Sequence, residues 1–333
     1  MRIGLSFDLK ESVAAQAGAP DDAFEEYDSS KTIDIITSAL EAKGHSVSLL
    51  GGGTEFLDNI RKEKVDIVFN IAEGRGSFRS REAQVPSVLE MLDTPYTGSD
   101  PQTLAICLDK PVTKKLVTGF GVSTPRWLTI SDKSELNQAP WSEIPFPAIV
   151  KPAFEGSSKG IRLTSLTHTL KQAQEEASRL LETYRQPVMV EEFIDGDEVT
   201  VGIIGNSSPT IVGMMRILPR KKGHFVYSLE VKRDYVNLVD YECPARLSPE
   251  VLERIASSSL KVFRGLGCRD FARLDFRISR EGVAHFLEVN PLPGLGDYSD
   301  LVIMAQMMGW THEKLIGAVL DAALERCLLC VGK

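Results

Sequence analysis

The chain is predicted to be an α/β protein built from more than one compact unit, and three observations carry that prediction. Its 333 residues exceed what one hydrophobic core organises, since compact units run at about 100–200 residues. Hydrophobic residues make up 43% and charged residues 25%, ordinary for a globular chain and far from disordered or fibrous composition. Near the N-terminus short apolar runs alternate with a helical period in a β-α-β-α-β order, which builds a small parallel sheet with right-handed crossovers.

Residues 3–7 form the first strand-like run. Residues 8–29 are acidic and alanine-rich, lack periodicity and are too long for a simple connection, so they read as a mobile loop over a site in preference to a tolerated insertion. Residues 30–43 have helical spacing that stops at Gly44, and residues 47–50 and 65–70 supply two further strands. The turn-rich break at 94–99 ends a first unit, expected over 1–98. A central unit over 99–193 opens with a helical segment through Leu116. It then holds strand-like runs at 146–151, 161–164 and 188–192 around a polar helix at 167–184. The last unit, 194–333, has strands at 199–204, 210–217, 272–278 and 284–289, a helix at 249–266, an irregular basic region at 220–241 and a closing helical region.

Lys and Arg number 38 against 46 Asp and Glu, a net charge of −8 that argues against nucleic acid or an anionic membrane surface as partner. No stretch approaches ~18 uninterrupted apolar residues, and the N-terminus reaches Asp8 before any signal-like run develops, so a cytoplasmic location is expected. Five scattered cysteines make a disulfide framework improbable. Cys327 and Cys330 form a C-x-x-C without a second Cys/His pair, and no zinc or redox role is expected of it.

Three segments carry chemistry. Residues 151–160 place Gly156, Ser157, Ser158 and Gly160 in a loop between strands with Lys151 and Lys159 at its ends. Its amides and hydroxyls could wrap phosphate oxygens, although a plain surface hairpin is the simpler reading of the loop alone. Gly156–Gly160 also fits G-x-S-x-G, but that nucleophile elbow needs a helix after the turn, and the run that follows is strand-like. Downstream, period-two alternation puts Arg273 with Asp275 on one face and Glu288 with Asn290 on another. Paired as a hairpin, they converge two carboxylates and an amide, a hard-oxygen set suited to Mg²⁺; a solvated, salt-bridged face is the alternative. Finally, the strand at 188–192 runs into Glu191, Glu192, Phe193 and Glu198. Such an acidic end is commonly a solvated turn, but could hold an adenine amino group through backbone and a ribose through a carboxylate. No G-x-x-x-x-G-K-[ST] and no complete G-x-G-x-x-G occurs, so a nucleotide would need another grip.

In their order these motifs resemble the ATP-grasp superfamily, and within it the D-alanine–D-alanine ligases. The resemblance covers the chain from about residue 30 to its end. Carrying it are Asp66-Ile67-Val68-Phe69-Asn70, Pro95-Tyr96-Thr97-Gly98-Ser99, Asp109-Lys110 with Thr113-Lys114, Phe146 to Pro152, Glu155-Gly156-Ser157-Ser158, Val190-Glu191-Glu192-Phe193, Glu198-Val199-Thr200-Val201, Gly267-Cys268-Arg269, Arg273-Leu274-Asp275 and Glu288-Val289-Asn290-Pro291-Leu292-Pro293-Gly294. The resemblance implies an ATP-grasp fold of three α/β (α+β) domains with ATP between the central and C-terminal ones. It implies phosphate contacts from Lys110 and Lys151 with Glu155 and Ser157 beside them, and adenine and ribose contacts from Glu191, Glu192, Phe193 and Glu198. Metal ligation falls to Asp275, Glu288 and Asn290 for Mg²⁺, two ions, with Mn²⁺ as a substitute. Arg273 and the Gly294 amide match the oxyanion donors, Ser158 the closing loop, Lys232 in Glu230-Val231-Lys232 a phosphate contact on a mobile segment, and Ser299 a serine near the acceptor carboxylate. The implied partners are small amino-acid substrates, and the implied assembly is a homodimer.

Departures gather around the first substrate. The family's Gly-Gly loop with its amino-binding Glu is replaced by Gly4 to Glu11, which makes Glu11 the substitute; Glu73 stands where a His is usual, and Arg233 where a Tyr is usual. The expected activity is D-alanyl-D-alanine synthesis, with a ligase of the same chemistry joining other amino acids as the alternative. A serine hydrolase and an inactive nucleotide-binding module are the rivals from other classes.

Overall fold

The computed structural model describes residues 1–13, 18–221 and 223–331, without the side chains of 328–331, so Cys330 lies outside the described side chains. Among the described residues the strands make three sheets. In the first, β1 (Arg2–Ser6) lies between β2 (Ser46–Leu49) and β3 (Ile67–Asn70), all parallel. The crossovers are α1 (Ser30–Ala42) and α2 (Gly53–Lys62). Ser29 caps α1 by accepting from the Thr32 amide at 3.3 Å, and Gly44, at φ 82°, turns the chain out of it. After α3 (Gln84–Met91) the segment at 99–116 is broken, not continuous: α4 (Pro101–Leu108) ends at Asp109, whose carboxylate caps α5 (Lys110–Gly119) through the Val112 amide. That break sets Lys110 at the first turn of a new helix, pointing at the site.

The second sheet is antiparallel, in the order β4 (Trp127–Ile130), β7 (Val188–Glu192), β5 (Ala148–Pro152), β6 (Leu166–Thr167), backed by α6 (Leu170–Tyr184). The strand expected at 161–164 is not one. Leu163–Ser165 is a single 3-10 turn, and pairing with β5 is left to the two residues of β6. Leu163 is 65% exposed, so the alternation there has no sheet face to bury, and Arg162 is drawn to Asp21 and Asp22 instead. A turn rather than a helix after Gly160 still denies the hydrolase elbow its context.

The third sheet is antiparallel in the order β10 (Val239–Glu242), β9 (Thr210–Pro219), β8 (Gly196–Ile204), β11 (Phe271–Ser279), β12 (Ala284–Asn290). Along β8 and β11 one set of alternating residues, including Val199, Val201, Leu274 and Phe276, packs on α9 (Pro249–Gly265) through Ile255, Val262 and Phe263. The other set, Thr200, Arg273, Asp275 and Arg277, faces the cleft toward the second sheet. The basic region at 220–241 forms α7 (Leu229–Arg233), α8 (Tyr235–Leu238) and the start of β10 over that cleft. The chain closes with α10 (Asp300–Met307), which packs on β8 and β9, and α11 (His312–Val331), which packs along α1 in the core they share with the first sheet. No helix among the described residues is long and apolar enough to cross a membrane.

Candidate active site

A cleft between the second and third sheets collects Lys151 from β5, Glu191 and Glu192 from β7, Glu198 from β8, Asp275 from β11 and Glu288 from β12. Apolar walls come from Ile149, Phe193 and Leu287. Register explains the convergence: Arg273 stands opposite Asn290 and Asp275 opposite Glu288 across the hairpin, while Thr200 on β8 stands opposite Asp275 and donates to it at 2.6 Å. Arg277, next on the same face, pairs with Glu198 at 3.1 Å and stacks over Phe193 at 4.7 Å from the ring centroid. It was not singled out in the sequence, although the same alternation carried it.

Charges in this cleft are ordered by their neighbours. Lys151 pairs with Glu191 at 2.6 Å, and the fully buried Lys114 pairs with the other oxygen of the same carboxylate. Burial raises the Glu191 pKa, but the two ammonium groups outweigh it and hold the carboxyl below its usual range; burial pushes Lys114 down to about 8. Lys110 reaches Glu288 at 3.3 Å and donates to the Glu155 carbonyl. Against the upward pull of burial, Lys110, Lys151 and Arg273 hold Glu288 down at about 2, whereas burial pushes Asp275 up, and the Glu288 charge adds to that. Two carboxylates on one ladder rung, with the Asn290 amide and Lys110 bordering a small recess that Glu288 shares, are a donor set that fits a hard divalent cation.

A second cavity opens beside the first, lined by Glu73, Ser157, Gly294, Ser299 and Asp300, and Lys232 and Arg273 border both. Ser157 and Ser158 are consecutive residues in the left-handed region, at φ 47° and 60°, which aims Ser157 into this second cavity and Ser158 into the first. Ser158 donates to the Tyr227 carbonyl at 2.9 Å, tying the loop to the segment above the cleft. A Cβ at Gly294 would come within 2.9 Å of the Ser299 hydroxyl, so any larger residue there would have to displace that side chain. Among the described residues nothing accepts from the Gly294 amide, and the Ser299 side chain does not cap α10, so both are left facing the cavity. Arg273 donates to Asp275 from Nε at 3.1 Å and from Nη2 at 2.9 Å, and its Nη1 lies 3.6 Å from Asp300, whose other oxygen accepts from Tyr227 at 3.2 Å. Asp300 and Tyr227 carried no signal in the sequence.

Several expected positions are corrected. Of the segment expected to lie over the site, residues 14–17 fall outside the described residues, and residues 18–29 form a strap there: Glu26 accepts from the Gly156 amide at 2.6 Å and pairs with Arg81 and Lys159, and Asp22 accepts from the Gly160 amide at 2.9 Å and from Tyr184. Two amides expected to be free for phosphate are therefore taken by carboxylates, leaving those of Ser157 and Ser158. Glu155 faces Arg81, Lys159 and Gln186 and does not line the nucleotide cleft. Glu11 is exposed on the 3-10 turn Lys10–Ser12, outside the cavity, which takes Glu25, Glu26 and Asp28 from the same segment instead. Arg233 does not reach the substrate cavity either; it turns outward to Glu25 at 2.8 Å and Asp21 at 3.4 Å, fastening the strap to α7. Glu73 does line the cavity, its carboxyl pushed well up by burial and by Glu82, Glu26 and Asp28.

Asp28 gives a stability prediction. Burial, then the charge of Asp8, pushes its carboxyl up to about 7, with Lys10 acting the other way. Because the folded pKa lies above the unfolded one, stability is lost as pH rises from about 4 to 7 and stays lower above that. Asp28→Asn is expected to raise the melting temperature of the ligand-free protein by roughly 5 °C at pH 8 and not at pH 4. Equal shifts at both pH values in thermal denaturation would show that the carboxyl is not the cause.

The family model described as D-ala D-ala ligase C-terminus matches residues 116–321. A D-alanine–D-alanine ligase of Aquifex aeolicus is 36% identical over 291 residues, 87% of this chain and 94% of the relative. An uncharacterized protein of Sinorhizobium fredii, y4sG, is 31% identical over 302 residues, 88% of this chain and 87% of the relative. The crystal structure of a D-alanine–D-alanine ligase from Bacillus anthracis complexed with ATP is similar at a TM-score of 0.73 and 24% identity, covering 98% of each chain, a likeness of fold. Matched over residues 116–321 and similar to a curated ligase along most of its length, the chain belongs to the D-alanine–D-alanine ligase family and has the ATP-grasp fold.

Proposed function

We propose that the chain is an ATP-dependent carboxylate–amine ligase that forms D-alanyl-D-alanine, ADP and phosphate through an acyl phosphate. The observation that carries this is the meeting of two cavities, one apolar-walled and one polar, at Lys232 and Arg273, which border both. A phosphoryl donor in the first can then face a carboxylate in the second. Ile149, Phe193 and Leu287 hold the base, Glu198 the ribose, and Lys110, Lys151 and Lys232 the phosphates. Asp275, Glu288 and Asn290 would hold Mg²⁺, which when bound supplies Lewis-acid neutralisation of phosphoryl charge.

Chemistry runs in two steps. A donor carboxylate oxygen attacks the γ-phosphorus and ADP leaves; the amine nitrogen of the acceptor then attacks the acyl carbon, loses a proton, and phosphate leaves. Arg273 and the Gly294 amide donate to the oxyanion formed in the second step, and Ser299 holds the acceptor carboxylate. The strap at 18–29 and the segment carrying Tyr227 and Lys232 keep water from the acyl phosphate. With an ¹⁸O-labelled donor carboxylate, one label per turnover should appear in the released phosphate; phosphate free of label would rule out the acyl phosphate. A second reading, the same chemistry on another amino acid, is favoured by the carboxylates Asp28 and Glu73, which line the cavity and which no cation among the described residues pairs.

A further inference from the structure

Carboxylates line both the nucleotide cleft and the amino-acid cavity, and among the described residues Asp300 is the one common to the two. It stands where the acyl carbon, the oxyanion and the attacking nitrogen of the proposed reaction have to meet. The other acids are placed elsewhere. Asp275 and Glu288 face each other across the hairpin as cation ligands, Glu198 pairs with Arg277, and Asp28 and Glu73 line the amino-acid cavity without bordering the cleft.

Chain order points the same way. Asp300 opens α10 directly after Ser299, which lines the amino-acid cavity. In an α-amino acid one carbon separates the carboxylate from the nitrogen, so an acceptor whose carboxylate is held at Ser299 has its nitrogen within reach of the next side chain. Arg273 comes to the same point from β11, with Nη1 3.6 Å from Asp300 Oδ2. That is an ionic contact and not a hydrogen bond, because the guanidinium directs its Nε and Nη2 donors at Asp275. Among the described residues the hydrogen bond that Asp300 accepts comes from Tyr227, at 3.2 Å on Oδ1, and Tyr227 is steadied in turn by Tyr241 at 2.6 Å. Asp300 is therefore buried and anchored through one oxygen, while the other has no donor and the residue still opens on both cavities.

We propose that Asp300 is the general base of the second step, a role that rests on the ligase reading. The acceptor arrives as an ammonium and has no lone pair to give. Asp300 takes one of its protons; the transfer turns an ion pair into two neutral groups, which the exclusion of water favours. The freed nitrogen adds to the acyl carbon, and the carbonyl electrons move onto the oxygen beside Arg273 and the Gly294 amide. When they return, the bond from the acyl carbon to the phosphoryl oxygen breaks, and phosphate leaves with the second proton. Asp300→Asn keeps an oxygen for Tyr227 and removes the base. The full chain supplied with Mg²⁺-ATP, D-alanine and hydroxylamine, an amine that is uncharged near neutral pH and attacks acyl phosphates unaided, can make both the dipeptide and D-alanine hydroxamate. The variant is expected to form dipeptide about 100-fold more slowly or worse, the usual worth of a positioned base, with hydroxamate formation little changed. Asp300→Glu, a carboxylate on a longer arm, is expected to recover part of the dipeptide rate. Equal loss of both products would mean that Asp300 only orients Arg273, and an undiminished dipeptide rate in Asp300→Asn would exclude a base there; either result overturns the proposal and leaves the ligase reading standing. A parent chain that makes neither product removes the ligase reading, and the proposal with it.

Discussion

Replacing Glu288 by glutamine is expected to slow phosphate release from Mg²⁺-ATP by ~1,000-fold or more, with little change in melting temperature. The rate effect follows because the neutral amide forfeits one of two carboxylates that would hold the divalent ion, whose charge neutralisation is worth several kcal/mol at about 1.4 kcal/mol per decade. The fold is spared because none of the three cations that hold Glu288 down is stranded: Lys110 keeps the Glu155 carbonyl, Lys151 keeps Glu191, and Arg273 keeps Asp275 and Asp300. Steady-state rates over a range of Mg²⁺ and Mn²⁺ concentrations check it. A variant that ligates at the parent rate would remove Glu288 from metal binding.

Arg273→Lys is expected to lower kcat by about 100- to 1,000-fold with the KM for ATP little changed. Charge is conserved, but one ammonium cannot reproduce a fork that donates twice to Asp275 while reaching Asp300 at 3.6 Å. With the planar donor lost, the oxyanion of the second step is left to the Gly294 amide. A kcat within tenfold of the parent would mean that Arg273 merely neutralises its neighbours.

The C-terminal hairpin was legible in the sequence because alternation and a turn between two apolar runs leave few other arrangements. Once β11 and β12 pair, Arg273, Asp275, Glu288 and Asn290 must converge. Arg277 lies on the same face by the same rule, but no sequence motif marks it. Residues 161–164 failed for the opposite reason: four alternating residues can be a strand or a turn, and burial, which sequence does not display, decides. The strap was recognised as a segment over a site, but its contacts were not, because Glu26 meets Gly156 and Asp22 meets Gly160 across 130 and 138 residues of chain. Glu11 follows the first strand in sequence, but in an aperiodic segment proximity does not fix direction, and the cavity takes Glu25, Glu26 and Asp28 instead. Asp300 and Tyr227 meet across 73 residues, again with no local pattern to show it.

The most direct test of the ligase assignment is phosphate release from Mg²⁺-ATP against single and paired D- and L-amino acids, with mass spectrometry of the products. Release that depends on D-alanine, with one phosphate for each D-alanyl-D-alanine formed, is the predicted result. Release without a peptide product, or none with any amino-acid pair, would contradict it.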